Sequence, residues 1–115
     1  MDLYSIFDFV EVCSIDDLPA GKGSLFVIND KNVAIYNVNG KIYAMADACP
    51  HAGASLGMGK LSGNIVTCPA HAMKFDVTNG CFANTSNEGV LTYPAKVANG
   101  KIMVSLPLPG KEAHQ

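Results

Sequence analysis

The chain has 115 residues, a mass of 12.1 kDa and a formal net charge of -2. These values limit the number of domains and the classes of function that are possible. A sequence of this length predicts one domain, residues 1–115, with a modest core and no room for a large internal active site. The eight lysines are scattered and there is no arginine. No basic stripe is present, so the sequence excludes a nucleic-acid partner.

The first residues, 1–8, are acidic where a signal peptide is basic, and no run of about 18 apolar residues predicts a membrane span. We therefore expect a cytoplasmic protein that does not bind a membrane. In that reducing compartment, the four cysteines are expected to bind metal or to remain thiols rather than to form disulfides.

The predicted elements are short strands separated by turns. In chain order, the strands are 9–13, 24–28, 33–38, 42–45, 65–67, 93–98 and 101–106. At most a turn or two of helix is expected, near residues 14–18, because no long stretch repeats its apolar residues with the helical period. The pattern predicts an all-β fold, a small antiparallel sandwich or barrel, followed by a flexible tail at about 107–115.

Asn-Gly dipeptides provide the clearest turn signals. Asn39-Gly40 predicts a type I′ hairpin turn, because both central residues of that turn need a positive φ, which Asn and Gly tolerate best. The dipeptide recurs as Asn79-Gly80 and as Asn99-Gly100. The last of these predicts a closing hairpin made of strands 93–98 and 101–106.

Four side chains in two short stretches are the strongest candidates for metal ligands. Cys49 and His51 lie in the first stretch, Cys68 and His71 lie in the second, and sixteen residues separate the two pairs. A proline follows each cysteine and steers its backbone away from the helical region. Glycines at 53, 57 and 59 let the first loop bend tightly. We expect two loops, at about 47–59 and 67–76, to clamp one cofactor between them.

Two kinds of metal centre suit this set of ligands. Structural zinc takes two cysteines and two histidines in a tetrahedron, but zinc fingers usually present the cysteines as one close pair and the histidines as another. Here each loop mixes the two types, which lets both loops span both irons of a two-iron cluster. The residues favour the two-iron cluster, and a zinc-stabilised interaction module without redox function remains an alternative.

The run 49–56, followed by Cys68-Pro69-Ala70-His71 and by 74–77, resembles the Rieske [2Fe-2S] proteins. Segments 75–80 and 93–97 resemble the strands that follow the site in small Rieske ferredoxins, so the resemblance covers nearly the whole chain. It implies the Rieske fold, with a cluster-binding subdomain made of the two loops, and one [2Fe-2S] cluster per chain. It also implies that the two cysteines bind the inner iron and the two histidines bind the outer, more exposed iron.

The sequence departs from the Rieske proteins of respiratory and photosynthetic complexes. Those proteins carry an extra cysteine in each loop, where this chain has Ala54 and Ala70, and they place hydrogen-bond donors where it has Met73 and Phe75. Fewer hydrogen bonds to sulfur predict a reduction potential near the low end of the Rieske range, roughly -150 mV. Histidine ligation also predicts a potential that falls as pH rises.

The resemblance implies a soluble one-electron carrier rather than an enzyme. Rieske oxygenase catalytic subunits are several times longer and add a mononuclear iron bound by two histidines and a carboxylate, whereas this chain has only His114 to spare. The expected partners are a flavin-containing, NAD(P)H-dependent ferredoxin reductase and the terminal oxygenase of a multicomponent system, most often one acting on an aromatic compound. The small subunit of an assimilatory nitrite reductase is the alternative of similar size and fold.

The remaining cysteines and acidic residues are not expected to bind the cofactor. Cys13 and Cys81 lie outside the motif and are interpreted as buried small apolar residues. Asp47 is interpreted as a loop or partner-facing carboxylate. Asp16, Asp17 and Glu88 are the other candidates for steering a basic partner. The stretch 83–89, expected to form a third loop beside the cofactor, contains no proline.

Overall fold

The computed structural model describes residues 9–48, 54–69, 73–82 and 89–106, which form short antiparallel strands and two 3₁₀ turns. The strands are β1 (Phe9–Ser14), β2 (Gly23–Ile28), β3 (Lys31–Val38), β4 (Lys41–Ala46), β5 (Lys60–Ser62), β6 (Ile65–Thr67), β7 (Lys74–Asp76), β8 (Cys81–Phe82), β9 (Thr92–Tyr93), β10 (Ala95–Ala98) and β11 (Lys101–Ser105). The 3₁₀ turns are Ile15–Asp17 and Leu56–Met58. The predicted all-β class is confirmed. Within these residues, no helix is long and apolar enough to cross a bilayer.

The strands form three antiparallel sheets. The first sheet has the order β1-β11-β10, the middle sheet β2-β3-β4-β9, and the third sheet β5-β6-β7-β8. The predicted turn at Asn39-Gly40 joins β3 to β4 with φ angles of 54° and 93°, and the turn at Asn99-Gly100 joins β10 to β11 with 53° and 75°. Both hairpin predictions are confirmed, because positive φ at two successive residues is a local property that Asn-Gly supplies.

The middle sheet is covered on both faces. The first core, between the first and middle sheets, consists of Leu18, Ile28, Val33, Ile35, Ile42, Ala44, Ile102, Val104 and Leu106. The second core, between the middle and third sheets, consists of Ala34, Tyr36, Met45, Leu56, Val66, Cys68, Phe75 and Val77. Successive residues of β3 enter opposite cores, as the two-residue period of a strand requires. The uninterrupted apolar run at 33–36 is therefore explained by burial on both faces.

The predicted strand 93–98 is wrong as a single element, because the chain changes sheets at Pro94. Tyr93 pairs with Ala44 of the middle sheet, whereas Ala95 pairs with Val104 of the first sheet. Pro94 has no N–H to donate to a ladder. Its carbonyl accepts a hydrogen bond from the Ser105 N–H at 2.9 Å.

The third Asn-Gly dipeptide lies in a longer turn than the other two. Residues 77–80 connect β7 to β8, and of these four only Gly80 has a positive φ, at 78°. The side chain of Asp76 shapes this turn, since its Oδ1 accepts from the Thr78 N–H at 2.9 Å and from the Thr78 hydroxyl at 2.6 Å. An Asp that hydrogen-bonds the backbone two residues later forms an Asx turn, which sequence spacing alone did not indicate.

The short helical turn expected near 14–18 is confirmed as the 3₁₀ turn Ile15–Asp17. Ser14 caps it, because its hydroxyl accepts from the Asp16 N–H at 3.2 Å while Asp17 Oδ2 accepts from the Ser14 N–H at 3.3 Å. The tail 107–115 and loop residues 83–88 lie outside the described residues. The expectation of one domain over 1–115 stays a prediction.

Candidate metal centre

Three of the four predicted ligands, Cys49, His51 and His71, lie outside the described residues. The fourth, Cys68, is described: it follows β6, belongs to the second core and is only 1 % exposed. Within the described ranges, no three His, Cys, Asp or Glu side chains group in a way that could hold a metal ion. The ligand set therefore stays a prediction. The structure does describe the residues at both ends of each ligand loop, and these show how the loops are held.

The second ligand loop is closed by the backbone. The Cys68 N–H donates to the carbonyl of Met73 at 2.7 Å, and the preceding residue, Thr67, pairs with Lys74 across β6 and β7. Residues 69–72, which contain His71, are thus a short connection whose two ends meet at one end of the third sheet.

The first ligand loop is closed by both backbone and side-chain contacts. Ala48 forms an isolated antiparallel bridge with Ser55, and the Leu56 N–H donates to the carbonyl of Asp47 at 2.7 Å. The Oδ1 atom of Asp47 accepts from the Ser55 hydroxyl at 2.9 Å and from the Gly57 N–H at 2.7 Å. Residues 49–53, which contain Cys49 and His51, are therefore held at both ends.

Of the two roles expected for Asp47, a loop carboxylate or a partner-facing one, the structure confirms the first, and the second is wrong. Asp47 is only 3 % exposed, and its carboxylate accepts hydrogen bonds from the far end of its own loop. The sequence contained a usable signal, since an Asp beside a ligand loop that ends in Ser and Gly can accept their O–H and N–H. Burial depends on contacts with distant parts of the chain, and the sequence alone did not reveal them.

Two glycines bring the first loop against its neighbours. A Cβ on Gly59 would collide with the Thr67 carbonyl, the residue before Cys68, and Lys60 pairs with Thr67. A Cβ on Gly57 would lie 2.7 Å from the backbone nitrogen of Leu25 in β2. The two ligand loops therefore leave from the same end of the third sheet, and the first of them is also pressed against the middle sheet.

Tyr36 ties the first loop to the middle sheet and was not singled out from the sequence. Its side chain is fully buried and its hydroxyl donates to the Leu56 carbonyl at 2.8 Å. Burial, and then the negative charge of Asp47, raise the pKa of Tyr36 above its ordinary value, so it remains a neutral donor. The sequence signal for this role is a Tyr within an apolar run: where such a run is buried on both faces, the hydroxyl of the Tyr needs a hydrogen-bond partner.

The chemistry of the four predicted ligands fits a two-iron cluster. Two thiolates and two neutral imidazoles leave an oxidised cluster uncharged, whereas four thiolates would leave it with a net negative charge. Cys68 lies among apolar side chains of the second core, where an uncharged centre costs less to bury than a charged one.

The two cysteines outside the motif are partly buried rather than fully buried. Cys13 packs against the first core, and burial, followed by the charge of Asp17, raises its thiol pKa. The Cys81 thiol donates a weak hydrogen bond to the Asn79 carbonyl at 3.8 Å. The expectation that both are buried is therefore confirmed only in part, and the contacts of Cys13 agree with a packing role.

Comparison with known proteins identifies the family. Residues 8–94 match the Rieske [2Fe-2S] domain. The ferredoxin component of the naphthalene 1,2-dioxygenase system of Pseudomonas putida is 34% identical over 101 residues, which cover 85% of this chain and 95% of that protein. The ferredoxin component of the alkene monooxygenase system of Xanthobacter autotrophicus is 32% identical over 104 residues, covering 89% of this chain and 85% of that protein.

Solved structures agree with this assignment. A chain in the complex of reduced oxygenase and oxidized ferredoxin in carbazole 1,9a-dioxygenase is similar with a TM-score of 0.76 and 28% identity, covering 84% of this chain and 92% of that chain. A putative small subunit of an NADPH nitrite reductase has a TM-score of 0.72 at 21% identity, covering 84% and 97%, which is a likeness of fold alone. The chain belongs to the Rieske [2Fe-2S] domain family, whose cofactor is a [2Fe-2S] cluster, and its relatives are ferredoxins rather than catalytic subunits.

Proposed function

We propose that this chain is the ferredoxin component of a multicomponent oxygenase system, a one-electron carrier that serves a terminal oxygenase. The observation that supports this most is its similarity, over nearly the full length of both chains, to the ferredoxin components of two different oxygenase systems. A fixed subunit of a nitrite reductase has weaker support, because the corresponding likeness is one of fold alone. The family match also favours an iron–sulfur cluster over a structural zinc.

Cys49, His51, Cys68 and His71 are the proposed ligands, one cysteine and one histidine from each loop. When bound, the [2Fe-2S] cluster accepts and releases one electron. The thiolate of Cys68 would hold it against the apolar second core, which excludes water. The imidazoles bring no negative charge, which makes the addition of an electron less costly than at a site with four thiolates.

The proposed electron donor is a flavin-containing, NAD(P)H-dependent reductase. A nicotinamide gives up two electrons as a hydride, and a flavin divides them into the single electrons that this carrier takes. The proposed acceptor is a terminal oxygenase, as in the carbazole dioxygenase complex of a similar ferredoxin. We place the exchange in the cytoplasm, where NAD(P)H is available.

The final substrate is proposed to be an aromatic compound. Naphthalene and carbazole give their names to two of the similar systems, and an alkene, named in a third, is the competing class. A carrier does not touch the substrate, so no residue of this chain is proposed to select it.

The first experiment is the EPR spectrum of anaerobically purified, dithionite-reduced protein, with iron, zinc and acid-labile sulfide measured on the same sample. A rhombic signal with about two irons and two sulfides per chain is expected. A silent spectrum with bound zinc would contradict the proposal. Cys68→Ser should lose the signal, whereas the matched control Cys13→Ser, at a partly buried cysteine that packs against the first core, should keep it.

A second experiment separates the carrier from a fixed subunit. The purified protein should be reduced by NAD(P)H through a flavin reductase and should then support product formation by a terminal aromatic-ring oxygenase. Stable, stoichiometric copurification with a haem-containing reductase, without such turnover, would instead favour the nitrite reductase alternative.

A further inference from the structure

We propose that Asp47 is a positioning residue, whose backbone carbonyl and carboxylate form a clasp that closes the first ligand loop, from which Cys49 and His51 would bind the cluster. This inference rests on the proposed ligands. The clasp is defined as the hydrogen bonds that Asp47 receives from Ser55, Leu56 and Gly57.

The clasp joins the two ends of the loop through one residue. Three successive residues near the far end of the loop direct their donors to Asp47: the Ser55 hydroxyl and the Gly57 N–H meet at its Oδ1, and the Leu56 N–H reaches its carbonyl. The donor–acceptor distances are 2.9, 2.7 and 2.7 Å. Because Asp47 is 3 % exposed, water competes little for these bonds, and bonds to a buried carboxylate are stronger than neutral ones.

The clasp is also fixed to the middle sheet. The Asp47 N–H donates to the carbonyl of Asn32 in β3 at 3.2 Å, and the Ala46 N–H just before it donates to the Leu91 carbonyl at 2.8 Å. On the other side of the loop, the Tyr36 hydroxyl donates to the Leu56 carbonyl. Both ends of the loop are therefore held relative to β3 as well as to each other.

Comparison with the second loop shows that closure alone does not need a carboxylate. The described ends of that loop are joined by the backbone hydrogen bond from Cys68 to Met73 and by the pairing of Thr67 with Lys74, and no Asp or Glu lies between them. Burying a charged carboxylate costs desolvation free energy, and closing a loop through backbone hydrogen bonds avoids that cost. The first loop, which joins Ala48 to Ser55, is longer than the connection 69–72. A longer loop loses more conformational entropy when its ends are joined, and the hydrogen bonds of the clasp offset that loss.

The test compares two substitutions of Asp47. Asp47→Ala removes the Oδ1 acceptor and should accelerate the loss of visible cluster absorbance by about thirtyfold, as expected for two lost hydrogen bonds, and broaden the EPR signal. Asp47→Asn keeps an Oδ1 acceptor and should restore most of the wild-type rate and line shape. Ser55→Ala removes one of the two donors to Oδ1 and should fall between them.

Asp76→Ala is the matched control. The Oδ1 of Asp76 also receives several hydrogen bonds and shapes a turn of the third sheet, but that turn carries no proposed ligand. This variant should lower thermal stability while leaving the EPR signal unchanged. Equal cluster loss in Asp76→Ala and Asp47→Ala would overturn the proposal, because the effect would then be general destabilisation.

Amide hydrogen exchange gives a readout that does not depend on activity. In Asp47→Ala the amides of Leu56 and Gly57 should exchange faster, at a temperature where circular dichroism shows a folded protein. Faster exchange with a normal EPR signal and normal cluster retention would overturn the positioning role and leave a purely structural one. Wild-type protein without iron and sulfide would refute the ligand proposal and this inference together, so the two failures are distinguishable.

Discussion

The first and third sheets cover opposite faces of the middle sheet, yet they are held in different ways. The first sheet contributes strands of four to six residues, and its core contains only aliphatic side chains. The third sheet has strands of two or three residues, and its core includes the hydroxyl of Tyr36, the thiol of Cys68 and the thioether of Met45. Strands this short do not form a stable sheet by themselves.

Other contacts replace strand length in the third sheet. Gly57 and Gly59 bring backbones together, Asp47 and Asp76 close its turns and loops, and the proposed ligands would tie it through the cluster. Metal binding contributes to folding free energy where the site is formed only in the folded state. Burial of aliphatic side chains therefore stabilises the first sheet, which carries no proposed ligand. The third sheet depends in addition on polar hydrogen bonds, close backbone contacts and the cofactor.

A matched pair of core substitutions tests this division most directly. Val66 of β6 and Val104 of β11 are both fully buried, one in each core. Either change to Ala should lower the free energy of unfolding by about 1.5–3 kcal/mol, measured by urea denaturation with circular dichroism. Only Val66→Ala should also accelerate the loss of cluster absorbance. Equal cluster loss in both variants would show that the two halves act as one unit.

A glycine substitution tests the contact between the first ligand loop and the middle sheet. In Gly57→Ala the new Cβ would lie 2.7 Å from the Leu25 nitrogen and 2.8 Å from the Ser24 carbonyl oxygen, so backbone must move, at a cost of about 1–3 kcal/mol. Gly63→Ala is the control in the same sheet: its φ is 62° and nothing lies within 4 Å, so only backbone strain of about 1 kcal/mol is expected. An equal loss of unfolding free energy in the two variants would refute the close-contact explanation.

The sequence predicts those parts of the structure that neighbouring residues decide. Asn39-Gly40 and Asn99-Gly100 form the predicted hairpin turns, because the φ angles they need are set by those two residues alone. The strands β1 to β4 were also predicted, because each has six to eight residues and contains enough apolar residues for a strand pattern to be recognised.

Short elements and contacts between distant parts of the chain were not predictable from the sequence. The strand β5 and the separation of the third sheet were missed. Lys60–Ser62 contains a single apolar residue, whereas the equally short β6, Ile65–Thr67, consists of β-branched residues and was predicted. The change of sheet at Pro94 and the burial of Asp47 depend on neighbours far away in sequence. Of the candidate site, the described residues give the position of Cys68 and the closed ends of both loops, while the other ligands stay predictions.

Tyr36 offers a smaller effect, with a distinctive dependence on pH. Tyr36→Phe leaves the Leu56 carbonyl without this donor and should cost about 1–2 kcal/mol at neutral pH. The folded state raises the pKa of Tyr36, so it holds this proton more tightly than the unfolded chain does. Its contribution is therefore complete below the ordinary value of 10.0 and is lost as pH rises above it.

The measurement for Tyr36 is the free energy of unfolding in urea at pH 7 and at about pH 11. Wild-type protein should lose more stability between these values than Tyr36→Phe does. Tyr43→Phe is the control, because Tyr43 is only partly buried and should leave the alkaline decline in place. A decline of the same size in Tyr36→Phe as in wild type would contradict the assignment to this hydroxyl.

The smallest effect is expected at Asp76, on the acid side. Burial raises the pKa of this carboxyl, but hydrogen bonds from the Thr78 hydroxyl and N–H and from Asn64 outweigh burial and lower it below the ordinary value of 3.8. A lowered pKa means that the contribution is present above that value and is lost as pH falls through the pKa of the folded state. Asp76→Asn keeps an acceptor but loses the charge, and should cost about 0.5–1 kcal/mol at neutral pH, since these bonds are partly exposed.

Titration of the unfolding free energy with acid measures the contribution of Asp76. Below about pH 4, Asp76→Asn should lose less stability than wild type, because the group that must be protonated is gone. Glu11→Gln is the control in the first sheet, where Glu11 forms an exposed ion pair with Lys101 at 3.7 Å and should contribute little. If Glu11→Gln flattened the acid decline more than Asp76→Asn, the polar bonds that matter would lie in the first sheet, and the assignment of polar stabilisation to the third sheet would be wrong.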